Sequence, residues 1–251
     1  MVAMTVPDNM EYKDGSDYIQ SSKLASGGMG DIWICTIAND ELKKSANNDR
    51  CIAKIIRVTD KLSLSLFEQE ISISFYLGDH PNIAKFLGFS KDPKTLLQRY
   101  YPLGTLWNLI QRPLSVGMDF QWTSVHRKAF ALDIAKGLAY MHSMAIAYCD
   151  LKPHNVLISE ENGKLTAVLT DFGISLIMDV KLSSGQAPII DHLNGITVRY
   201  AAPEAIRRLL NRPYIRVTPV MARAGDVYSF AAVIYAMLCM KMPWWGEDVN
   251  K

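Results

Sequence analysis

The spacing of apolar and polar positions changes character several times along the chain. Residues 1 to about 20 are polar, with Asp8-Asn9 and Asp14-Gly15-Ser16-Asp17 as turn formers, and read as a leader onto the first strand. From Leu24 to Trp33, apolar residues flank a glycine-rich turn, and Ile32 to Ile37 predicts a strand. Ala38 to Arg50 is polar and reads as a loop. Cys51 to Ile56 reads as a buried strand that carries one lysine, Lys54. Between Leu62 and Leu77, the apolar residues Leu66, Phe67, Ile71, Ile73 and Leu77 recur at helical spacing. Ile83 to Phe89 and Thr95 to Tyr100 predict two more strands. Ser124 to Met144 predicts a long amphipathic helix with Phe130, Ile134, Leu138 and Met141 on one stripe. Val156-Leu157-Ile158 and Ala167-Val168-Leu169 read as the strands of a hairpin. Glu160-Glu161-Asn162-Gly163 supplies its turn, because Asn and Gly tolerate the positive φ that a tight hairpin demands.

Composition narrows the classes. The chain has 251 residues, enough for one large domain or two lobes, and its 49% apolar content predicts a globular protein. A formal net charge of +2 predicts neither nucleic acid nor a membrane surface as a partner. Cys35, Cys51, Cys149 and Cys239 show no metal-ligand spacing and read as reduced thiols of an intracellular protein. The start, MVAMTVPDNMEYKDG, lacks the basic-then-apolar pattern of a signal peptide. The most apolar stretch, Phe230 to Met240, is too short to span a bilayer. A soluble, cytoplasmic protein is expected.

The chemistry gathers around the hairpin. Its open ends bring Asp150, Lys152 and Asn155 beside Asp171. Phosphoryl transfer needs such a set: a carboxylate to receive a hydroxyl proton, oxygen ligands for Mg²⁺, and a cation on the phosphates. The plainer alternative is a surface hairpin with scattered acids. Asp150-Leu151-Lys152-Pro153-His154-Asn155 followed by Asp171-Phe172-Gly173 resembles the catalytic and metal loops of eukaryotic protein kinases.

That resemblance extends over roughly Leu24 to Gly246. Gly27 and Gly30 match the second and third glycines of a G-x-G-x-x-G-x-V loop, Ile32 matches its valine, and Ala25 replaces the first glycine. A dinucleotide-binding loop would instead want a helix directly after Gly30. Cys51-Ile52-Ala53-Lys54 resembles the V-A-I-K strand, with Ile52 where an alanine usually faces adenine; the plainer reading of Lys54 is a solvent-facing strand lysine. Glu70, ten residues before His80-Pro81-Asn82-Ile83, is then the partner of Lys54. Glu68 lies on another helical face, and Ser74 stands where a large apolar side chain is usual. The implied ATP site comprises Leu24, Ala25, Ser26, Gly27, Gly28, Met29, Gly30, Ile32, Ile52, Lys54, Gln98, Arg99, Tyr101 and Leu157, with the backbone of Arg99 to Tyr101 facing adenine.

By the same resemblance, Asp150 orients and deprotonates the acceptor hydroxyl, and Lys152 neutralises the transferring phosphoryl group. Asn155 and Asp171 ligate Mg²⁺, and Lys54, held by Glu70, binds phosphates. Tyr148-Cys149-Asp150 replaces the usual H-R-D. Tyr148 keeps the stacking role, while Cys149, read as a buried structural cysteine, removes the arginine that would pair with an activation-segment phosphate at Ser183 or Ser184. Thr197, Tyr200, Ala202, Pro203 and Glu204 resemble the T-x-x-Y-x-A-P-E ending, and Thr197 with Lys152 implies serine/threonine specificity. Asp226-Val227-Tyr228-Ser229-Phe230 resembles the start of the central helix of the tyrosine-kinase-like group. Asp226 there accepts catalytic-loop N–H groups, or caps the helix as an N-cap aspartate.

The fold implied is α+β and bilobal. A leader (1–20) precedes a small lobe (21–101) built as an antiparallel sheet with one main helix. A mostly helical large lobe (102–251) follows and stops before the family's last helices. The implied function is ATP- and Mg²⁺-dependent phosphorylation of protein serine and threonine hydroxyls. Alternatives are a pseudokinase or nucleotide-binding interaction module, and a small-molecule kinase. Self-association, or a partner over the large lobe, is expected as well.

Overall fold

The computed structural model describes residues 6–27, 30–111, 123–178, 197–211 and 218–244. Gly28, Met29, Ser183, Ser184, Trp245 and Gly246 lie outside the described residues. The chain divides between Tyr101 and Pro102 into two compact units.

The N-terminal unit is a five-stranded antiparallel sheet with two helices. Its elements are β1 (Tyr18–Gly27), β2 (Gly30–Ile37), α1 (Asp40–Ala46), β3 (Arg50–Ile56), α2 (Lys61–Leu77), β4 (Phe86–Lys91) and β5 (Lys94–Arg99). The strand order is β1-β2-β3-β5-β4. Side-chain alternation along β3 sends Cys51 and Ala53 into one cluster with Tyr18, Cys35, Ile37, Leu42, Ala46, Leu87 and Leu97. Ile56 joins Phe67, Ile71, Phe86, Phe89 and Leu96 on the other face.

Helix α1 overturns the loop expected over Ala38 to Arg50. Leu42 and Ala46, one turn apart, are both fully buried. The Asn39 side chain accepts the Leu42 N–H at 3.0 Å, and Asn47 closes the helix at φ 50°. Strand β4 also starts later than expected, at Phe86, and Ile83 and Ala84 are buried ahead of it. The polar leader does not simply run onto β1. Tyr12 donates its N–H to the Phe89 carbonyl at 2.8 Å. A Cβ on Gly88, which has φ 154°, would lie 2.4 Å from the Met10 carbonyl and 2.6 Å from the Tyr12 ring. Val6 and Met10 pack on the Phe86/Phe89 cluster. The leader is therefore part of the fold, fitted to a glycine.

The C-terminal unit contains α3 (Leu106–Gln111), α4 (Ser124–Ser143), β6 (Ile146–Ala147), β7 (Val156–Glu161), β8 (Lys164–Leu169), β9 (Leu176–Ile177), α5 (Pro203–Asn211) and α6 (Pro219–Cys239). Thr123 caps α4 by accepting the His126 N–H at 3.3 Å. The stripe Phe130, Ile134, Leu138 and Met141 is buried, each side chain contributing about 1.5–3 kcal/mol. The β7–β8 hairpin pairs Val156 with Leu169 and turns at Asn162 and Gly163, both at positive φ. Helix α6 starts well before Asp226, which corrects the N-cap reading of that residue. Thr218 is the cap, accepting the Met221 N–H at 3.2 Å, and Pro219 occupies the first turn. Among the described residues, no helix is long and apolar enough to cross a membrane.

Candidate active site

Strand β6 delivers the chain into Tyr148–Asn155, and helix α6 holds that loop from within. The Asp226 carboxylate, 1% exposed, accepts the Tyr148 N–H at 2.8 Å and the Cys149 N–H at 2.7 Å. His142 Nε2 lies 2.7 Å from the same carboxylate. Cys149 sits at φ 67°, a left-handed conformation that costs a non-glycine residue about 1–2 kcal/mol. Its half-buried thiol packs on Ala147, Leu176, Met178 and Ala222, an apolar setting. Tyr148 is fully buried and meets the Phe172 ring edge-on at 5.8 Å. Its hydroxyl donates to the Thr170 carbonyl. Burial, reinforced by the charges of Asp150 and Asp171, pushes that hydroxyl well above its ordinary pKa, so it stays a donor.

Around Asp150 three side chains meet. Lys152 Nζ lies 2.6 Å from Asp150 Oδ2 and donates to Thr197 Oγ1 at 2.9 Å. The Thr197 hydroxyl donates to Asp150 Oδ1 at 3.2 Å. Asn155 Nδ2 donates to the Asp150 carbonyl at 3.0 Å and to Oδ2 at 2.8 Å. Burial raises the Asp150 carboxyl above its ordinary value, Lys152 opposes that, and the nearby Asp171 charge adds to it. The hairpin closes as expected, with Thr170 N–H on the Asn155 carbonyl at 3.0 Å, and Asp171 follows at φ 65°. Ser229, one turn after Asp226 on α6, donates to the Tyr200 carbonyl at 2.7 Å. The turn that starts at Thr197 is thus pinned to the same helix as the loop that carries Asp150.

In the N-terminal unit, Lys54 Nζ lies 2.7 Å and 2.9 Å from the two Glu70 oxygens, and Glu70 is only 4% exposed. Glu68 is exposed and Ser74 is buried. Gly27 pairs with Gly30 at the end of the β1–β2 hairpin. A Cβ on Gly30 would lie 2.1 Å from the Ile55 carbonyl oxygen, so only glycine fits. Ile32 pairs with Ala25 and with Lys54, Ile52 pairs with Gln98, and Leu24 is exposed. The Arg99 N–H donates to the Lys85 carbonyl at 3.0 Å. The Tyr101 hydroxyl accepts the Lys85 N–H at 3.2 Å. Leu157 lies on β7 in the C-terminal unit, bridged to Thr105.

The donor set suits Mg²⁺. With both Nδ2 protons of Asn155 on Asp150, the atom left to ligate is its carbonyl oxygen, and Asp171 adds a carboxylate. Mg²⁺ takes few protein oxygens and completes its shell with phosphates and water. Among the described residues, no group of three or more His, Cys, Asp or Glu is placed to hold a metal ion. Two contributors escaped the sequence reading. His142 carries no local signal for its contact with Asp226, 84 positions on. Arg57, which bonds the β1–β2 hairpin, stands 26 positions from Asp31.

Residues 18–251 match the family model for the protein kinase domain. The chain belongs to the protein kinase family. A "Probable serine/threonine-protein kinase drkC" of Dictyostelium discoideum is 33% identical over 200 residues, covering 77% of this chain and 23% of its own length. A "Probable serine/threonine-protein kinase PBL20" of Arabidopsis thaliana is 28% identical over 231 residues, covering 88% of this chain and 52% of its own length. The "Probable serine/threonine-protein kinase pats1" of Dictyostelium discoideum is 29% identical over 217 residues, 84% of this chain and 6% of that protein. The kinase chain thus spans about half or less of the length of these relatives. Its α+β architecture, a five-stranded antiparallel sheet with helices followed by a mainly helical unit, is that of the family.

Proposed function

We propose that this kinase domain transfers the γ-phosphoryl group of ATP to serine or threonine hydroxyls of a protein substrate. The observation that carries the proposal is the contact set of Asp150 with Lys152, Asn155 and Thr197. Asp150 accepts the proton of the acceptor hydroxyl while its oxygen bonds to phosphorus and the bond to the leaving ADP breaks. Asn155 and Thr197 fix the carboxylate in one orientation, so no reorganisation is needed at the moment of transfer. Lys152, already beside Asp150, offsets charge on the phosphoryl oxygens. Lys54, oriented by both Glu70 oxygens, binds the α- and β-phosphates, and Gly27 and Gly30 allow backbone approach. Asn155 and Asp171 would hold Mg²⁺, which neutralises phosphate charge when bound.

Thr197 favours serine/threonine acceptors, and the matched relatives carry that activity in their names. The four free cysteines agree with a reducing compartment. The test is transfer of label from radiolabelled ATP to a general protein substrate, beside an Asp150→Asn control. Transfer that the control lacks supports the proposal. Nucleotide binding with no transfer in either protein would make this a nucleotide-binding module instead.

A further inference from the structure

Arg57 follows the last residue of β3 and reaches both strands of the glycine-rich hairpin. Its Nη2 donates to Asp31 Oδ1 on β2 at 2.8 Å and to Ser26 Oγ on β1 at 3.3 Å, and its Nη1 donates to the Gly27 carbonyl at 3.3 Å. Ser26 donates to the same Asp31 oxygen at 2.6 Å, and Lys23 approaches it at 3.0 Å. These contacts form one network at the neck of the hairpin, beside the Gly27–Gly30 pair. We propose that Arg57, with Asp31, is a positioning residue for nucleotide: it fixes the neck so that the backbone of Gly27 and Gly30 is held in place to meet phosphates. The assignment rests on the ATP reading above.

Three features support it. Glycines leave a turn with many accessible conformations, so a turn that must meet phosphates in one of them gains from an external brace. A planar guanidinium can bridge acceptors on two strands at once, which an ammonium cannot do in the same geometry. Finally, the hydrogen bond from Ser26, then those of Lys23 and the charge of Arg57, hold the Asp31 carboxyl below its ordinary range, which keeps the acceptor ionised. The network is open to solvent, the Arg57 side chain being 52% exposed. Exposed pairs of this kind add little to global stability, so their removal acts on the hairpin rather than on the fold.

The experiment uses the full chain and the variants Arg57→Ala, Arg57→Lys and Asp31→Asn. Calorimetry with Mg·ATP supplies Kd, and initial rates supply KM and kcat. Both Arg57→Ala and Asp31→Asn are expected to raise Kd and KM for ATP about three- to tenfold, with kcat changed less than about twofold. Arg57→Lys is expected to recover only part of the loss, and all variants should melt within about 2 °C of the parent. The decisive arm is Asp31→Asn. If Arg57 instead touched phosphates directly, freeing it from Asp31 would leave ATP affinity unchanged or tighter, and that result overturns the proposal. Unchanged affinity in Arg57→Ala overturns it as well. Because Kd is read without transfer, a parent that binds ATP but transfers nothing would sink the transferase reading alone. A parent that binds no ATP would sink both.

Discussion

Replacing Asp226 with asparagine should damage stability and turnover together. The carboxylate serves two backbone N–H donors and lies beside His142, at 2.7–2.8 Å throughout. An amide has one accepting oxygen, so whichever way the substituted side chain turns, its NH₂ faces the N–H of Tyr148 or Cys149. A buried donor left without an acceptor costs about 1–3 kcal/mol, and losing the charge on the remaining bonds costs about 1 kcal/mol more. The sum, about 2–4 kcal/mol, corresponds to a fall of about 4–16 °C in Tm for a chain of this size. The freed Cys149 can also leave its left-handed φ of 67°, which turns the peptide that enters Asp150. A misplacement of about 1 Å there is expected to lower kcat about 100-fold. Because Lys54 and Glu70 are untouched, KM for ATP should move much less. Differential scanning fluorimetry and initial rates at varied ATP measure both effects. A variant that melts within about 1 °C of the parent and keeps its kcat would refute the idea that α6 holds the catalytic loop through this carboxylate.

Lys54→Met removes the cation that Glu70 orients and is expected to lower kcat/KM by about 100-fold or more in the transfer assay; parental activity would remove Lys54 from the mechanism. Thr197→Ala should cut initial rate strongly, because its hydroxyl links Lys152 to Asp150. Ser183→Ala/Ser184→Ala should retain most activity, because Cys149 carries no cation and Arg199 is engaged with the carbonyls of Pro243 and Trp244; a matching loss in the double variant and after phosphatase treatment would contradict this. For pH, Asp150 has a folded pKa above its ordinary 3.8, so the folded state binds that proton more tightly and loses stability as pH rises from 3.8 through the folded value. Asp150→Asn should therefore melt above the parent at neutral pH, and the gap should close toward pH 3.8; a gap independent of pH would refute the assignment.

How much of this was legible in the sequence depended on distance along the chain. Asp150, Lys152 and Asn155 lie within a few positions of one another, and a hairpin with an unmistakable Asn-Gly turn returns the chain to Asp171. Lys54 was visible as one charge in an apolar strand, and Glu70 by its place ten residues before His80-Pro81-Asn82-Ile83, where the family resemblance puts the partner of that lysine. Local composition misled where few residues decide the outcome. Helix α1 rests on two apolar positions, Leu42 and Ala46, inside a polar stretch, and its caps are ordinary asparagines. Asp226 resembles a cap because an apolar run follows it, yet Thr218-Pro219 is the stronger start signal upstream. Arg57 and His142 find partners only through tertiary packing.

Strand β4 is the last strand of its sheet, and the segment around Glu11 and Tyr12 lies along it. An uncovered final strand offers a row of unpaired amides and carbonyls to any other extended chain, which is how sheets recruit one another into aggregates. The Tyr12 N–H already occupies the Phe89 carbonyl, and the glycine at position 88 is the recess that lets the Tyr12 ring lie flat enough to do so. Residues that precede the family match at position 18 therefore act as a built-in guard against intermolecular strand addition. A protein begun at Tyr18 would keep every residue assigned to chemistry and still present β4 as a template for precipitation.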